Sequence, residues 1–83
     1  MTITVFSSSN CAVCHSLMQW LDQQHVTYDN VVIDESEDGM AKMMAATGGT
    51  IQGTPLTLIE DGDKAQTVAG FDRVKLQTLL GLV

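Results

Sequence analysis

The apolar positions at the start of the chain change from a strand pattern to a helix pattern within about ten residues. Residues 3–6 form a short β-branched and aromatic run, and the polar residues 7–10, of types common in turns and helix caps, follow it. From residue 12 to about residue 25, apolar side chains recur every three or four positions, including Cys14, Leu17, Met18 and Leu21. This spacing predicts an amphipathic helix with one buried side.

The middle of the chain predicts a second strand and a shorter helix. Residues 26–28 and then 31–33 are β-prone, and the near-continuous apolar end suits a strand covered on both faces. The preceding helix provides the crossover that parallel pairing with the first strand requires, so a right-handed βαβ unit is predicted. Residues 34–38 place four acids around a potential helix cap, and Gly48-Gly49 is a stop signal. The helix between them contains Met40, Met43 and Met44.

The last third of the chain predicts a hairpin and a terminal helix. Residues 56–60 and 64–68 flank Asp61-Gly62, the strongest short hairpin signal in the sequence. Asp72 is the expected N-cap of a final helix that carries Leu76, Leu79 and Leu80. The predicted order is βαβαββα, an α/β arrangement in which two antiparallel strands complete the sheet. We expect residues 1–83 to form one domain, because a chain of this length holds one modest core.

Composition and charge exclude several classes of protein. The hydrophobic content of 45% and the charged content of 17% are ordinary for a soluble globular domain. Ten acidic residues against four basic ones give a net charge of −6, which disfavours nucleic acid and anionic membrane surfaces as partners. The N-terminal residues lack the basic and apolar regions of a signal peptide, and no stretch reaches transmembrane length. A cytoplasmic, monomeric protein is expected.

The chemistry-bearing motif is the run Cys11-Ala12-Val13-Cys14, which holds the only two cysteines and lies at the predicted strand-to-helix junction. Dithiol exchange requires one exposed, acidified thiol that attacks a disulfide and a second thiol that resolves the mixed disulfide. A helix N-terminus lowers the pKa of a thiol, so Cys11 is the expected nucleophile and Cys14 the resolving thiol. No Lys or Arg precedes Lys42 in sequence. We therefore predict a modestly acidified Cys11 and a reducing rather than oxidising pair.

Other interpretations of the cysteines remain open at this point. Cys-x-x-Cys followed by His15 is also the attachment signature of c-type haem, for which the methionines at 40, 43 and 44 could supply an axial ligand. A zinc site would have to use Cys11, Cys14, His15 and His25, which lie on one short segment with poor geometry for a tetrahedron. The cysteines could also serve only as core packing. The expectation from the residues is a site with no tightly bound metal or cofactor.

Pro55 is the only proline in the chain and stands just before a predicted strand. A proline at the start of a strand is common, because that position can lack a ladder donor. The alternative interpretation is functional: Pro55 could be a cis-proline that lies beside the two cysteines. It would leave the Thr54 backbone N–H and C=O free to pair with an extended substrate.

Three segments together resemble the glutaredoxin branch of the thioredoxin-fold superfamily: residues 11–15, Thr54-Pro55 and Gly70-Phe71-Asp72. The resemblance covers essentially the full chain. It implies a thioredoxin fold, a four-stranded mixed sheet flanked by three helices, with Pro55 in the cis form. In glutathione-using members, the segments equivalent to Thr54-Pro55 and Gly70-Phe71-Asp72 hold glutathione, so the resemblance assigns that binding role to these five residues.

The sequence departs from the common glutaredoxin pattern at two places near the cysteines. Ala12-Val13 replaces the Pro-Tyr that usually separates the two cysteines in glutaredoxins. Ser8, three residues before Cys11, replaces the lysine that glutaredoxins usually have at that position. Gly70-Phe71 is similar to the Ser-Gly-Phe motif of NrdH-type redoxins, which accept electrons from thioredoxin reductase and serve ribonucleotide reductase. Their Arg-Pro continuation is replaced here by Asp72-Arg73.

These observations predict a small thiol–disulfide oxidoreductase that reduces protein disulfides through Cys11 and Cys14. The resemblance implies glutathione or thioredoxin reductase as its reductant and proteins such as ribonucleotide reductase as its substrates. The alternative from a different class is a thioredoxin-fold binding module that holds a metal or an iron–sulfur cluster through Cys11 without disulfide turnover.

Overall fold

The computed structural model describes residues 1–35, 37–49 and 53–82, and its elements follow the predicted order βαβαββα. The part of the predicted cap at Ser36 and the stretch 50–52 before Pro55 lie outside the described residues. The strands and helices are β1 (Thr2–Ser7), α1 (Ala12–Gln23), β2 (Asp29–Val32), α2 (Glu37–Thr47), β3 (Leu56–Asp61), β4 (Lys64–Ala69) and α3 (Arg73–Leu80).

The four strands form a mixed sheet in the order β2-β1-β3-β4. β1 pairs in parallel with β2, which confirms the βαβ unit, and β3 is antiparallel to both β1 and β4. The register places Ser7 beside Val32, Phe6 beside Leu56, and Leu56 beside Ala69. The ends of β1, β2 and β4 and the start of β3 therefore meet at one end of the sheet, which we call the upper end.

The helices cover opposite faces of this sheet, because successive strand residues point to opposite sides. Val5 and Val68 share one hydrophobic cluster with Leu17 of α1 and Leu76 of α3. Phe6 and Leu56 share the second cluster with Met43 of α2. The resulting arrangement of three helices around a four-stranded mixed sheet is the thioredoxin fold implied by the resemblance.

The methionines of α2 occupy different environments. Met43 is fully buried in the second cluster, whereas the side chain of Met44 is 44% exposed. No helix in the described ranges is long and apolar enough to cross a membrane.

The prediction for β2 was wrong in two respects. Its strand begins at Asp29, so residues 26–28 belong to the connection from α1 rather than to the sheet. β2 is also an edge strand, and Val31 and Val32 are half-buried rather than covered on both faces. The connection is apolar because Val26 and Tyr28 pack against the hydrophobic cluster beneath α1 and α3.

Helix α1 ends before residue 25 in a Schellman motif centred on His25. The N–H of His25 donates to the Asp22 carbonyl at 3.1 Å, and the N–H of Val26 donates to the Leu21 carbonyl at 3.0 Å. His25 adopts a φ of 58°, the left-handed region that glycine occupies without a steric penalty. The chain therefore holds an unfavourable residue at a position where glycine is the common choice.

Replacing His25 with glycine is expected to raise the free energy of unfolding by about 1 kcal/mol, because it removes the left-handed penalty. Urea unfolding of the oxidised protein measures the change. Gln24→Gly is the matched control, since Gln24 has a φ of −86° and gains nothing from glycine. A His25→Gly protein no more stable than the unsubstituted chain would contradict the assignment.

Candidate redox site

Cys11 and Cys14 form a disulfide at the start of α1, with their Cα atoms 5.2 Å apart. Cys11 is itself the N-cap of the helix, in extended conformation with φ −117° and ψ 103°. Its Sγ accepts a hydrogen bond from the Cys14 N–H at 3.1 Å, and its carbonyl accepts one from the His15 N–H at 3.3 Å. The polar residues 7–10 thus do not cap α1, because the sulfur of Cys11 fills that position.

The two cysteines differ in burial. Cys11 is partly exposed, whereas Cys14 is fully buried on the side of α1 that faces the sheet, as are Leu17 and Leu21. Val13, between the cysteines, is 49% exposed. A substrate can approach the pair from the side of Cys11, while Cys14 is shielded by the core.

The Thr54–Pro55 peptide bond is cis, as the resemblance implies. Because β1 and β3 are antiparallel neighbours, the residues just after β1 and just before β3 share the upper end of the sheet. The hydroxyls of Ser8 and Thr54 are 3.1 Å apart, within hydrogen-bonding distance. Pro55 is buried, and its carbonyl accepts a hydrogen bond from the Gly70 N–H at 2.9 Å. The fold therefore joins the loop before Cys11, the cis-proline and the end of β4.

Phe71 and Asp72 follow Gly70, but Phe71 contacts a later part of α1 and Asp72 caps α3. The ring centroids of Phe71 and Trp20 are 5.8 Å apart, and Trp20 lies six residues beyond Cys14, about 9 Å along the helix axis. The Asp72 carboxylate accepts a hydrogen bond from the Lys75 N–H at 3.1 Å, which confirms Asp72 as the N-cap of α3. The guanidinium of Arg73 lies 5.9 Å from the centroid of the Trp20 ring. A glutathione-binding role for these residues stays a prediction.

The interaction between Ser9 and Asp34, beside the site, is among those that sequence reasoning missed. The Asp34 carboxylate accepts hydrogen bonds from the Ser9 hydroxyl and, at 3.0 Å, from the Ser9 backbone N–H. The hydroxyl bond, and after it the backbone bond, lowers the pKa of Asp34. Ser9 lies two positions after Ser7, and Asp34 lies two positions after Val32. Because Ser7 and Val32 are paired in the parallel register of β1 and β2, that register brings Ser9 and Asp34 together. The interaction ties the loop before Cys11 to the end of β2.

Asp34→Asn is expected to make the protein less sensitive to acid. Because the pKa of Asp34 is lower when the protein is folded than its usual value of 3.8, its carboxylate contributes stability above that pH. This contribution is lost as the pH falls through the folded pKa, so the unsubstituted chain should lose more stability below pH 3.8 than the variant. Unfolding curves between pH 6 and 2.5 measure the difference, with Glu35→Gln as the charge-matched control. Parallel losses in the unsubstituted chain and Asp34→Asn would contradict the assignment.

The histidines raised as candidate ligands are both exposed, His15 on α1 and His25 beyond its end. Among the residues that the structure describes, no three cysteine, histidine or carboxylate side chains are placed to hold a metal ion.

Comparison with known proteins agrees with this architecture. The family model for glutaredoxin matches residues 3–56. The glutaredoxin-like protein NrdH of Lactococcus lactis subsp. lactis (strain IL1403) is 31% identical over 42 residues, which cover 51% of this chain and 58% of that protein. The chain thus spans somewhat more than half the length of this curated relative.

Solved structures extend the likeness to nearly the whole chain. A point mutant of the thioredoxin-like protein BC3987 superposes with a TM-score of 0.83 at 26% identity, covering 99% of this chain and 97% of that one. The glutaredoxin-like NrdH-redoxin of Escherichia coli superposes with a TM-score of 0.74 at 19% identity, covering 95% of each chain, which shows a shared fold. With the family model matched from β1 through the cysteine pair to the first residue of β3, the chain belongs to the glutaredoxin family.

Proposed function

We propose that this protein reduces disulfides in other proteins by thiol–disulfide exchange through Cys11 and Cys14. The observation that carries the proposal is the asymmetry of the pair. Cys11 is partly exposed and receives a backbone N–H at the start of α1, whereas Cys14 is fully buried within disulfide-bonding distance. Exchange needs these two roles, an accessible attacking thiolate and a nearby thiol that resolves the intermediate.

The reaction cycle starts from the reduced pair. The Cys11 thiolate attacks one sulfur of the substrate disulfide; the substrate S–S bond breaks, a mixed disulfide forms, and the departing substrate sulfur takes up a proton. The deprotonated Cys14 then attacks the Sγ of Cys11, which forms the intramolecular disulfide and releases the second substrate sulfur. The substrate gains two electrons and two protons, and the protein is left oxidised.

The thiolate of Cys11 is stabilised mainly by the helix that it caps. The Cys14 N–H points at its sulfur at 3.1 Å, and the positive end of the α1 dipole lies at the same place. Arg73 is placed over Trp20, farther along α1, rather than at the helix start. We therefore infer a pKa for reduced Cys11 moderately below the usual value of about 8.5. An alkylation profile against pH that gave a pKa near 4 would contradict this inference.

A thioredoxin reductase is the better candidate for the reductant than glutathione. Glutathione carries two carboxylates, which are held best by charge-assisted hydrogen bonds. At this site the lysine common in the family is replaced by Ser8, whose hydroxyl is within hydrogen-bonding distance of that of Thr54. The likeness to an NrdH protein supports the same choice, and suggests ribonucleotide reductase as a substrate.

The test is NADPH-coupled reduction of insulin disulfides in two parallel assays, one with thioredoxin reductase and one with glutathione plus glutathione reductase. Turnover with thioredoxin reductase, and at most a slow rate with glutathione, is the expected result. Faster turnover with glutathione would overturn the choice of reductant. No turnover in either assay, with a pair that dithiothreitol reduces completely, would overturn the oxidoreductase proposal. A brown protein that chelators bleach would indicate the cluster-binding alternative instead.

A further inference from the structure

Thr57 is a fully buried polar residue close to the redox site. It is the second residue of β3, two positions after Pro55, and its neighbours across the sheet are Val5 and Val68. All three are at most 1% exposed. Within the described ranges, the Thr57 hydroxyl is the one buried side-chain nitrogen or oxygen atom without a hydrogen-bond partner.

An unpaired buried hydroxyl lowers stability, because the group loses its bonds to water and gains none in return. Valine has nearly the same shape and would fill the position without that penalty. In the oxidised protein the hydroxyl has no partner among the described residues, so a group that changes on reduction is the candidate partner.

The buried group that changes between the two states is Cys14. Thr57 lies on the α1 side of the sheet, because its cross-strand neighbours Val5 and Val68 share a cluster with Leu17. Cys14 is one turn before Leu17 and is buried on the same side of α1. Both Thr57 and Cys14 therefore belong to the layer between α1 and the sheet, near its upper end.

Among the described residues, the other buried hydroxyl on this face, that of Ser7, already has a partner. Ser7 follows Val5 by two residues, so it faces the same side of the sheet, and it donates to Asn30 Oδ1 at 2.6 Å. In the oxidised protein the Cys14 sulfur is bonded to Cys11 and carries neither a proton nor a charge. In the reduced protein it is a thiol, and during resolution a thiolate, which needs a hydrogen-bond donor when buried.

We propose that Thr57 is a positioning residue for the resolving cysteine, and that its hydroxyl donates a hydrogen bond to the Cys14 sulfur once the disulfide is reduced. This bond stabilises the reduced state relative to the oxidised state and favours deprotonation of Cys14. The effect on turnover rests on the proposed function. The effect on the dithiol–disulfide equilibrium does not, since that equilibrium is a property of the protein alone.

The test compares the redox equilibrium of Thr57→Val with that of the unsubstituted protein, using dithiothreitol as the reference couple and alkylation of free thiols as the readout. Loss of one hydrogen bond should shift the equilibrium toward the disulfide by about fivefold. This shift corresponds to a reduction potential that is roughly 20 mV more negative. Thr57→Ser keeps the hydroxyl and should restore the original value. Thr67→Val is the matched control: Thr67 is a half-buried threonine next to Val68 in β4, on the opposite face.

Urea unfolding in both redox states provides an independent check. Thr57→Val should stabilise the oxidised protein, where the hydroxyl is unpaired, more than the reduced protein. Equal stabilisation of both states with an unchanged equilibrium would show that the hydroxyl is only a packing defect and would overturn the inference. Thr57→Ala removes the hydroxyl without adding bulk, and should give the same shift if the valine variant does not fold. Because no reductase or protein substrate takes part, failure of the turnover assay leaves these results interpretable.

Discussion

Replacing Cys11 with serine is expected to abolish the reduction of protein disulfides, whereas Cys14→Ser should still attack a substrate but remain attached to it. Serine is a far weaker nucleophile than a thiolate, so the Cys11 variant should lose at least roughly a thousandfold in rate, as when other enzymes lose a nucleophile. The Cys14 variant keeps the partly exposed sulfur at the start of α1 and lacks only the buried thiol that releases the product.

Mass spectrometry of each variant after incubation with an oxidised protein substrate distinguishes the two outcomes. The Cys14→Ser protein should carry the substrate on Cys11, and the Cys11→Ser protein should carry none. Ser16→Ala, a change at an exposed position of α1, should turn over at the unsubstituted rate. Stable adducts on Cys14 in the Cys11 variant, at a comparable rate, would reverse the assigned roles.

Leu17→Ala is expected to destabilise the protein by about 3 kcal/mol, within the range of about 2–5 kcal/mol for such changes in a well-packed core. Leu17 is fully buried, and it joins α1 to the cluster that includes Val5, Val68 and Leu76. The loss is large for a chain of 83 residues, since domains of this kind have total stabilities of only about 5–15 kcal/mol. Because Leu17 follows Cys14 by one helical turn, the variant should also expose the Cys14 thiol of the reduced protein to alkylating agents.

Urea unfolding and the rate of Cys14 alkylation measure these two effects. Val74→Ala on α3 is the control: Val74 is 74% exposed, and its truncation should change the stability by less than about 0.5 kcal/mol. A loss below about 1 kcal/mol for Leu17→Ala would show that α1 is not anchored through this side chain.

The order of the elements was predictable because each element has a local signal. The three-to-four spacing of apolar residues identified α1, and Asp72 caps α3 as predicted. Asp61-Gly62 correctly indicated a hairpin, but the turn is one residue later, at Gly62 and Asp63, because Asp61 still pairs with Lys64 in the sheet. The start of β2 was not predictable in the same way. Its β-prone approach includes Val26 and Tyr28, which pack beneath the helices instead of entering the sheet. Periodicity identifies apolar residues, but tertiary packing decides what they contact.

The serines before Cys11 show most clearly what a local pattern leaves out. Their composition indicates a turn or a cap, yet each side chain contacts a distant residue: Ser7 pairs with Asn30, Ser8 with Thr54 and Ser9 with Asp34. These pairs depend on strand register, which a single sequence does not specify. The unpaired hydroxyl of Thr57 was hidden for the same reason, because only the sheet shows that it is enclosed by Val5 and Val68.

The segments that resembled a glutathione site divide into two groups in the fold. Thr54, Pro55 and Gly70 are joined to the loop before Cys11 by hydrogen bonds at the upper end of the sheet. Phe71 instead packs on Trp20, and the carboxylate of Asp72 caps α3. The first group lies at the same end of the sheet as the loop before Cys11, whereas the second has structural contacts within the fold.

A single-turnover experiment tests whether Cys11 and Cys14 themselves reduce a protein disulfide. The reduced protein, freed of small thiols, is mixed with an excess of a disulfide-containing protein, and the free thiols on both chains are counted by alkylation and mass spectrometry. Each chain is expected to reduce one substrate disulfide and to end with Cys11 and Cys14 joined to each other. Free thiols that persist on both cysteines, with the substrate disulfide intact, would contradict this expectation.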